Sequence, residues 1–281
     1  MYRKIENNPF FEDIKCAKAK ENFDILVDYL CSMPVAEAPE EDILLDGDFY
    51  KKHKIIANSI YSPRNRTLIE KVLKERTKTD TCDSIDGFSY IYELGKDKIL
   101  ELGTTKFYRS ISVLEHELTH IVMSLNNNNP KPQYNEILGF FVEFLSLLQL
   151  SKMENNPNIY NNAFINRCVA RMSFRVFAHE FSDEYLNEHS NFLNNSNHNS
   201  YPYMLGFIYS IRLLDIYEQD KTVLKEINDI LEGTKSIDEL LKEYNISLEN
   251  SETINCFINM CNYYSQLVTK KYTQSKLHSV R

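Results

Sequence analysis

Residues that turn or break a backbone are scarce in this chain, which has seven glycines and eight prolines among 281 residues. This scarcity favours long helices and few tight turns. None of the six cysteines forms a C-x-x-C pair, so the sequence does not indicate a zinc site built from cysteines. Hydrophobic residues make up 43% of the chain, which is enough for a sizeable core.

Acidic residues outnumber basic ones, with 40 Asp and Glu against 32 Lys and Arg. The formal net charge is −8, which disfavours a broad nucleic-acid-binding surface. The first residues lack the apolar segment of a secretory signal, and the longest apolar run, residues 137–150, is interrupted by Glu143 and too short to span a bilayer. We therefore expect a soluble protein without a membrane span, either cytoplasmic or exported without a classical signal peptide.

Apolar residues recur at helical spacing along most of the chain. This spacing predicts helices over residues 10–33, 48–59, 66–79, 110–125, 134–151, 163–187, 201–218, 221–232, 236–244 and 251–272. Between the third and fourth helices, residues 88–94 and 98–102 are rich in β-favouring residues and flank Gly95. We expect a mostly α (α+β) protein with a small antiparallel sheet beside the fourth helix. The sheet either pairs with an extended peptide or caps the core.

The fourth predicted helix carries the pattern H-E-x-x-H at His116, Glu117 and His120. Positions i and i+4 lie on one face of a helix, where two imidazoles can bind a single Zn²⁺ ion. Glu117 lies between them and can act as general base on a metal-activated water. Because the helix is otherwise apolar, these polar residues need partners, and the pattern indicates a metal site more than a pair of core histidines.

The next predicted helix offers two candidates for the third ligand. Catalytic zinc has three protein ligands and one open position. Glu136 and Glu143 are seven residues apart, on one face of a helix that is strongly apolar elsewhere. Glu136 could instead lie in an exposed first turn, where a carboxylate stabilises the helix dipole. The spacing leaves the choice between the two glutamates open.

Three segments resemble the gluzincin metallopeptidases, and more narrowly peptidase family M3, the oligoendopeptidase F and thimet oligopeptidase family. Residues 98–120, KILELGTTKFYRSISVLEHELTH, look like the strand, polar turn and metal helix of that family. Residues 135–145, NEILGFFVEFL, are similar to its second helix, and residues 201–206, YPYMLG, resemble its tyrosine-rich stretch. A glycine-containing turn and helix over residues 231–247 is also similar, so the resemblance extends over about residues 85–250.

The resemblance implies a zinc-dependent metallopeptidase that hydrolyses peptide bonds of oligopeptides or of a protein substrate. It implies that His116, His120 and Glu136 are ligands and that Glu117 is the general base. Glu143 either contacts a ligand residue and orients it, or replaces Glu136 as the third metal ligand. Residues 85–281 then form the catalytic domain, and residues 1–84 form an N-terminal helical region that packs on it as part of one globular unit.

The resemblance further implies that His198, together with Tyr201 or Tyr203, stabilises the oxyanion of the reaction. Proton donors at this place fit the chemistry, because the tetrahedral intermediate carries negative charge. The alternative for the two tyrosines is aromatic packing in the core, since the chain has 18 tyrosines.

The chain departs from the family pattern at several points. Thr119 stands where the family usually has glycine, the loop before Glu136 is shorter than usual, and most of the long N-terminal region of the family is missing. These departures support an alternative function, a catalytically inactive protein that binds a metal and peptides on the same fold.

Overall fold

A computed structural model describes most of the chain. The described residues are 13–32, 43–45, 47–75, 77–81, 88–94, 97–104, 107–126, 128, 130–165 and 200–278. This part of the chain is mostly helical, which confirms the mostly α class that the sequence predicts.

Among the described residues, three helices precede the sheet: α1 (Ala17–Ser32), α2 (Phe49–Ile60) and α3 (Pro63–Glu75). Helix α2 begins after Asp48, whose carboxylate accepts a hydrogen bond of 2.7 Å from the backbone amide of Lys51. Helix α3 begins at a proline, which is tolerated there because the first helical amides have no partner within the helix.

The sheet has three strands, β1 (Thr77–Thr81), β2 (Phe88–Leu94) and β3 (Asp97–Thr104), in the order β1-β3-β2. Strands β2 and β3 pair antiparallel, whereas β1 pairs parallel with β3. The sheet is therefore mixed, whereas the sequence predicts an antiparallel one. The additional strand is β1, which begins within residues 66–79, where the sequence predicts a helix. The β-branched threonines of β1 suit a strand, and pairing with β3 ends α3 at residue 75.

The centre of the fold is formed by α4 (Arg109–Leu125) and α5 (Ile137–Met153), with a short 3₁₀ turn at Pro132–Tyr134 between them. Strands β2 and β3 lie against α4, and α5 packs along α4. Helix α5 is apolar on every face, and its residues from Ile137 to Leu147 are buried. A helix with this pattern must be surrounded by other elements, and α5 accordingly supplies the middle of the core.

The other helices in the described part of the chain are α6 (Asn158–Ile165), α7 (Ser200–Gln219), α8 (Val223–Leu231), α9 (Ile237–Glu243) and α10 (Ser251–His278). Helix α7 packs against α5, and α10 packs against α7. Helix α6 begins at residue 158, where the sequence predicts a loop. The predicted helix over residues 163–187 lies mainly outside the described residues.

Buried apolar side chains form one cluster that extends from Ile14 to Tyr264. Helix α1 contributes to it and contacts α10, and the Asn22 amide donates a 2.7 Å hydrogen bond to the carbonyl of Leu248. The described N-terminal helices thus share a core with the rest of the chain, while the division at residue 84 stays a prediction. Among the described helices, none combines the length and apolarity needed to cross a membrane.

Candidate metal centre

Helix α4 presents its two histidines on one face. The Nε2 atoms of His116 and His120 lie 3.1 Å apart, with the ring centroids 4.9 Å apart. His116 is buried and His120 is partly buried. The i, i+4 spacing of the sequence therefore produces the convergence of two imidazole nitrogens that the motif predicts.

Glu136 brings a carboxylate to these two nitrogens. It directly precedes α5, and its Oε2 atom lies 3.2 Å from Nε2 of His116 and 3.6 Å from Nε2 of His120. A tetrahedral zinc ion with ligands at about 2.05 Å holds those ligands about 3.3 Å from one another. The three observed separations, 3.1, 3.2 and 3.6 Å, match that spacing, so His116, His120 and Glu136 could hold a metal ion.

The charges around His116 favour a cation at this place. Burial lowers the pKa of His116, but hydrogen bonds with Glu136 and Glu143 outweigh burial and raise the pKa to about 10. Burial raises the pKa of Glu136, but hydrogen bonds from the two histidines hold it well below its usual range. A carboxylate environment that favours positive charge on His116 also favours a metal cation, which competes with protons for the same atoms.

Glu143 contacts the other side of the His116 ring. Its Oε2 atom lies 3.1 Å from Nδ1 of His116, and its side chain is fully buried. A carboxylate beside Nδ1 accepts a hydrogen bond from the N–H group there. This keeps the proton on Nδ1 and leaves Nε2 available to bind a metal. Glu136 and Glu143, which the sequence leaves equivalent, therefore contact different nitrogens of one imidazole.

We expect Glu143→Gln to weaken zinc binding by about 10–100-fold, the range found when a partner behind a metal-binding histidine is removed. The glutamine amide lacks the negative charge with which Glu143 keeps a proton on Nδ1 of His116. Competition with a chelator of known affinity measures the change. Glu154→Gln is the matched control, because Glu154 ends the same helix and pairs with Lys52. Equal zinc affinity in the two variants would contradict the role of Glu143.

Glu117 has a carboxylate suited to accepting a proton. It is partly buried beside the histidines. Burial raises the pKa of Glu117, the two histidines lower it, and the charges of Glu136 and Glu143 raise it, with a net increase. A carboxylate of raised pKa is a stronger base than a solvated one, as general-base catalysis near neutral pH requires.

The three residues expected at the oxyanion differ in placement. His198 lies outside the described residues. The ring of Tyr203 packs against Phe140 at 5.8 Å, and Phe140 packs edge-on against the ring of His116 at 5.1 Å. Tyr201 is fully buried, with its ring 6.3 Å from that of Phe23, and burial raises its pKa well above the usual value. These ring contacts connect Tyr203 with His116 through Phe140, and the roles of all three residues stay predictions.

A second buried pair adjoins α4 and was not expected from the sequence. Nδ1 of His53 lies 2.6 Å from Oε1 of Glu115, and both side chains are buried. The hydroxyl of Tyr61 donates a 3.2 Å hydrogen bond to the backbone carbonyl of Glu115. A glutamate at position 115 in a buried helix was a signal that a partner exists, but nothing local in the sequence indicates His53.

The His53–Glu115 pair is expected to make stability depend on pH. Burial lowers the pKa of His53, but the charge and hydrogen bond of Glu115, with a smaller contribution from Glu70, raise it above its usual value. A raised folded-state pKa means that charged His53 stabilises the fold fully below about pH 6.5 and that this contribution disappears as pH rises through the folded-state pKa. The difference in unfolding free energy between wild type and His53→Asn should therefore shrink from pH 6 to pH 9 in urea titrations. A constant difference would contradict this prediction.

No family model, curated protein or solved structure matches the chain.

Proposed function

We propose that the protein is a zinc-dependent metallopeptidase that hydrolyses peptide bonds in oligopeptides or in a protein substrate. The observation that carries this proposal is the convergence of His116, His120 and Glu136 beside Glu117. Two imidazole nitrogens and one carboxylate oxygen form the donor set of catalytic zinc sites in gluzincin-type peptidases. The resemblance of the motif segments to the M3 family agrees with this donor set.

His116, His120 and Glu136 would hold the metal, and Glu143 would fix the orientation of His116. A zinc ion supplies a Lewis acid that lowers the pKa of water and polarises a peptide carbonyl. In this proposal Glu117 accepts the proton of the attacking water and delivers it to the departing amine.

Tyr203 is the oxyanion donor that the ring contacts support best. It lies one aromatic ring away from His116, through Phe140. A phenol that reaches the reacting carbonyl can meet the negative charge of the tetrahedral intermediate before water does. His198 and Tyr201 stay in the proposal as the further oxyanion residues that the family resemblance implies.

Strand β2 is a candidate surface for the peptide substrate. It is an edge strand of the sheet and lies against α4, which carries the motif. An extended peptide can add to such an edge through backbone hydrogen bonds. We propose this pairing as the way in which a scissile bond reaches the histidines.

Metal removal tests the proposal. We expect about one zinc per purified chain by elemental analysis, and hydrolysis of a mixed peptide library that stops after treatment with a chelator and returns with added zinc. Bound zinc without cleavage across a broad library would favour the inactive metal-binding and peptide-binding alternative. A folded chain that takes up no zinc would exclude both functions.

A further inference from the structure

Of the glycines whose surroundings the structure describes, Gly139 and Gly206 touch residues of the candidate metal centre. Gly206 lies on α7, opposite Glu136. A Cβ atom at position 206 would lie 2.5 Å from Cβ of Glu136 and 2.9 Å from its carbonyl carbon. Real Cβ atoms essentially never approach another heavy atom this closely. The backbone of α7 therefore rests directly on the backbone of the residue that bears the carboxylate.

Gly139 makes a similar contact with a histidine. It lies in the first turn of α5, and a Cβ atom there would lie 2.8 Å from both Cε1 and Nε2 of His116. Nε2 is the atom that faces His120 and Glu136. The ring edge that would hold the metal is thus packed against a helix that has no side chain at that position.

The missing side chain, and not backbone freedom, explains both glycines. Gly47 and Gly233 are the glycines with positive φ among the described residues, whereas Gly139 and Gly206 have ordinary helical conformations. Glycine weakens a helix relative to alanine, so a buried helical glycine needs a compensating contact. At both positions that contact is with a residue that we assign as a ligand.

We propose that Gly206 is a positioning residue of the metal centre. Without a side chain at 206, α7 comes close enough to hold Glu136 against the two histidines, and Gly139 does the same for His116. Tyr203 lies three residues before Gly206 on the same face of α7, so the same close approach places its ring on Phe140. This inference rests on the proposed function, since it assigns the residues that hold its metal ligands in place.

The test compares Gly206→Ala with Ser210→Ala. Ser210 is buried one turn further along α7, and its hydroxyl donates to the carbonyl of Phe207 within the same helix. We expect Gly206→Ala to fold, as judged by circular dichroism, but to bind zinc at least tenfold more weakly in chelator competition. Cobalt substitution should show an altered visible absorption spectrum in Gly206→Ala and an unaltered one in Ser210→Ala.

A second readout does not require a metal. The ring N–H protons of His116 in the metal-free protein report its hydrogen bonds with Glu136 in proton NMR spectra. We expect these resonances to move in Gly206→Ala and to stay in place in Ser210→Ala. If the wild type takes up no zinc while the resonances move, the proposed function fails and the positioning role of Gly206 stands.

A folded Gly206→Ala protein with wild-type zinc affinity and wild-type His116 resonances would overturn the inference. If that protein also lost thermal stability, Gly206 would be a packing residue only. If Gly206→Ala does not fold, Gly139→Ala takes its place, because its nearest contacts are with a side chain and not with backbone. Unchanged readouts in that folded variant would equally overturn the inference.

Discussion

Glu117→Gln is expected to lower kcat/KM for peptide hydrolysis by about 10²–10⁴-fold, the range that a positioned general acid–base residue contributes. Glutamine has nearly the same shape but cannot accept the proton of water or return it to the leaving amine. Zinc content should stay close to one per chain, because Glu117 is not among the three residues that could hold the metal. Parallel measurement of peptide cleavage and bound zinc separates the loss of a base from the loss of a metal.

The matched control for Glu117→Gln is Glu115→Gln. Glu115 is a buried glutamate on the same helix, two residues earlier, and its carboxylate contacts His53. We expect Glu115→Gln to lower the unfolding free energy but to retain cleavage per folded molecule. Full activity in Glu117→Gln, or an equal loss of activity in both folded variants, would contradict the assignment of Glu117 as the base.

His120→Ala is expected to weaken zinc binding by more than the roughly 100-fold upper range that we expect for Glu143→Gln, because a ligand is lost and not only its support. At zinc concentrations that saturate the wild type, peptide hydrolysis by His120→Ala should fall to the uncatalysed rate measured without protein. A ligand present at about 1,000 times its Kd stabilises a protein by about 4 kcal/mol. Zinc should therefore raise the Tm of the wild type and leave that of His120→Ala nearly unchanged.

His53→Asn provides the contrast for this experiment. It also removes a histidine that neighbours α4, but His53 pairs with Glu115 and does not belong to the group that could hold the metal. We expect His53→Asn to unfold more easily and still to gain Tm with zinc. A zinc-dependent Tm increase of wild-type size in His120→Ala would show that His120 is not a ligand.

Much of helix α4 could be predicted from the sequence because helical geometry is local. Residues four apart share a helix face whatever surrounds the helix, so the pattern of His116 and His120 implies two adjacent imidazoles. The helical class of the described chain likewise follows from apolar spacing, since that spacing reflects one periodic backbone shape. Strand β1 was not predicted from the sequence, because its pairing with β3 depends on residues about twenty positions away.

Contacts between helices required the tertiary structure. Spacing places Glu136 and Glu143 on one face of a helix, and only the packing of α5 on α4 brings them to different nitrogens of His116. The pairing of His53 with Glu115 and the close contact of α7 with Glu136 at Gly206 likewise follow only from the packing of separate helices. The sequence by itself determined which helix carries the two histidines on one face, through local backbone periodicity. The tertiary structure decided which residues complete and support the site, because that depends on how close separate helices can approach.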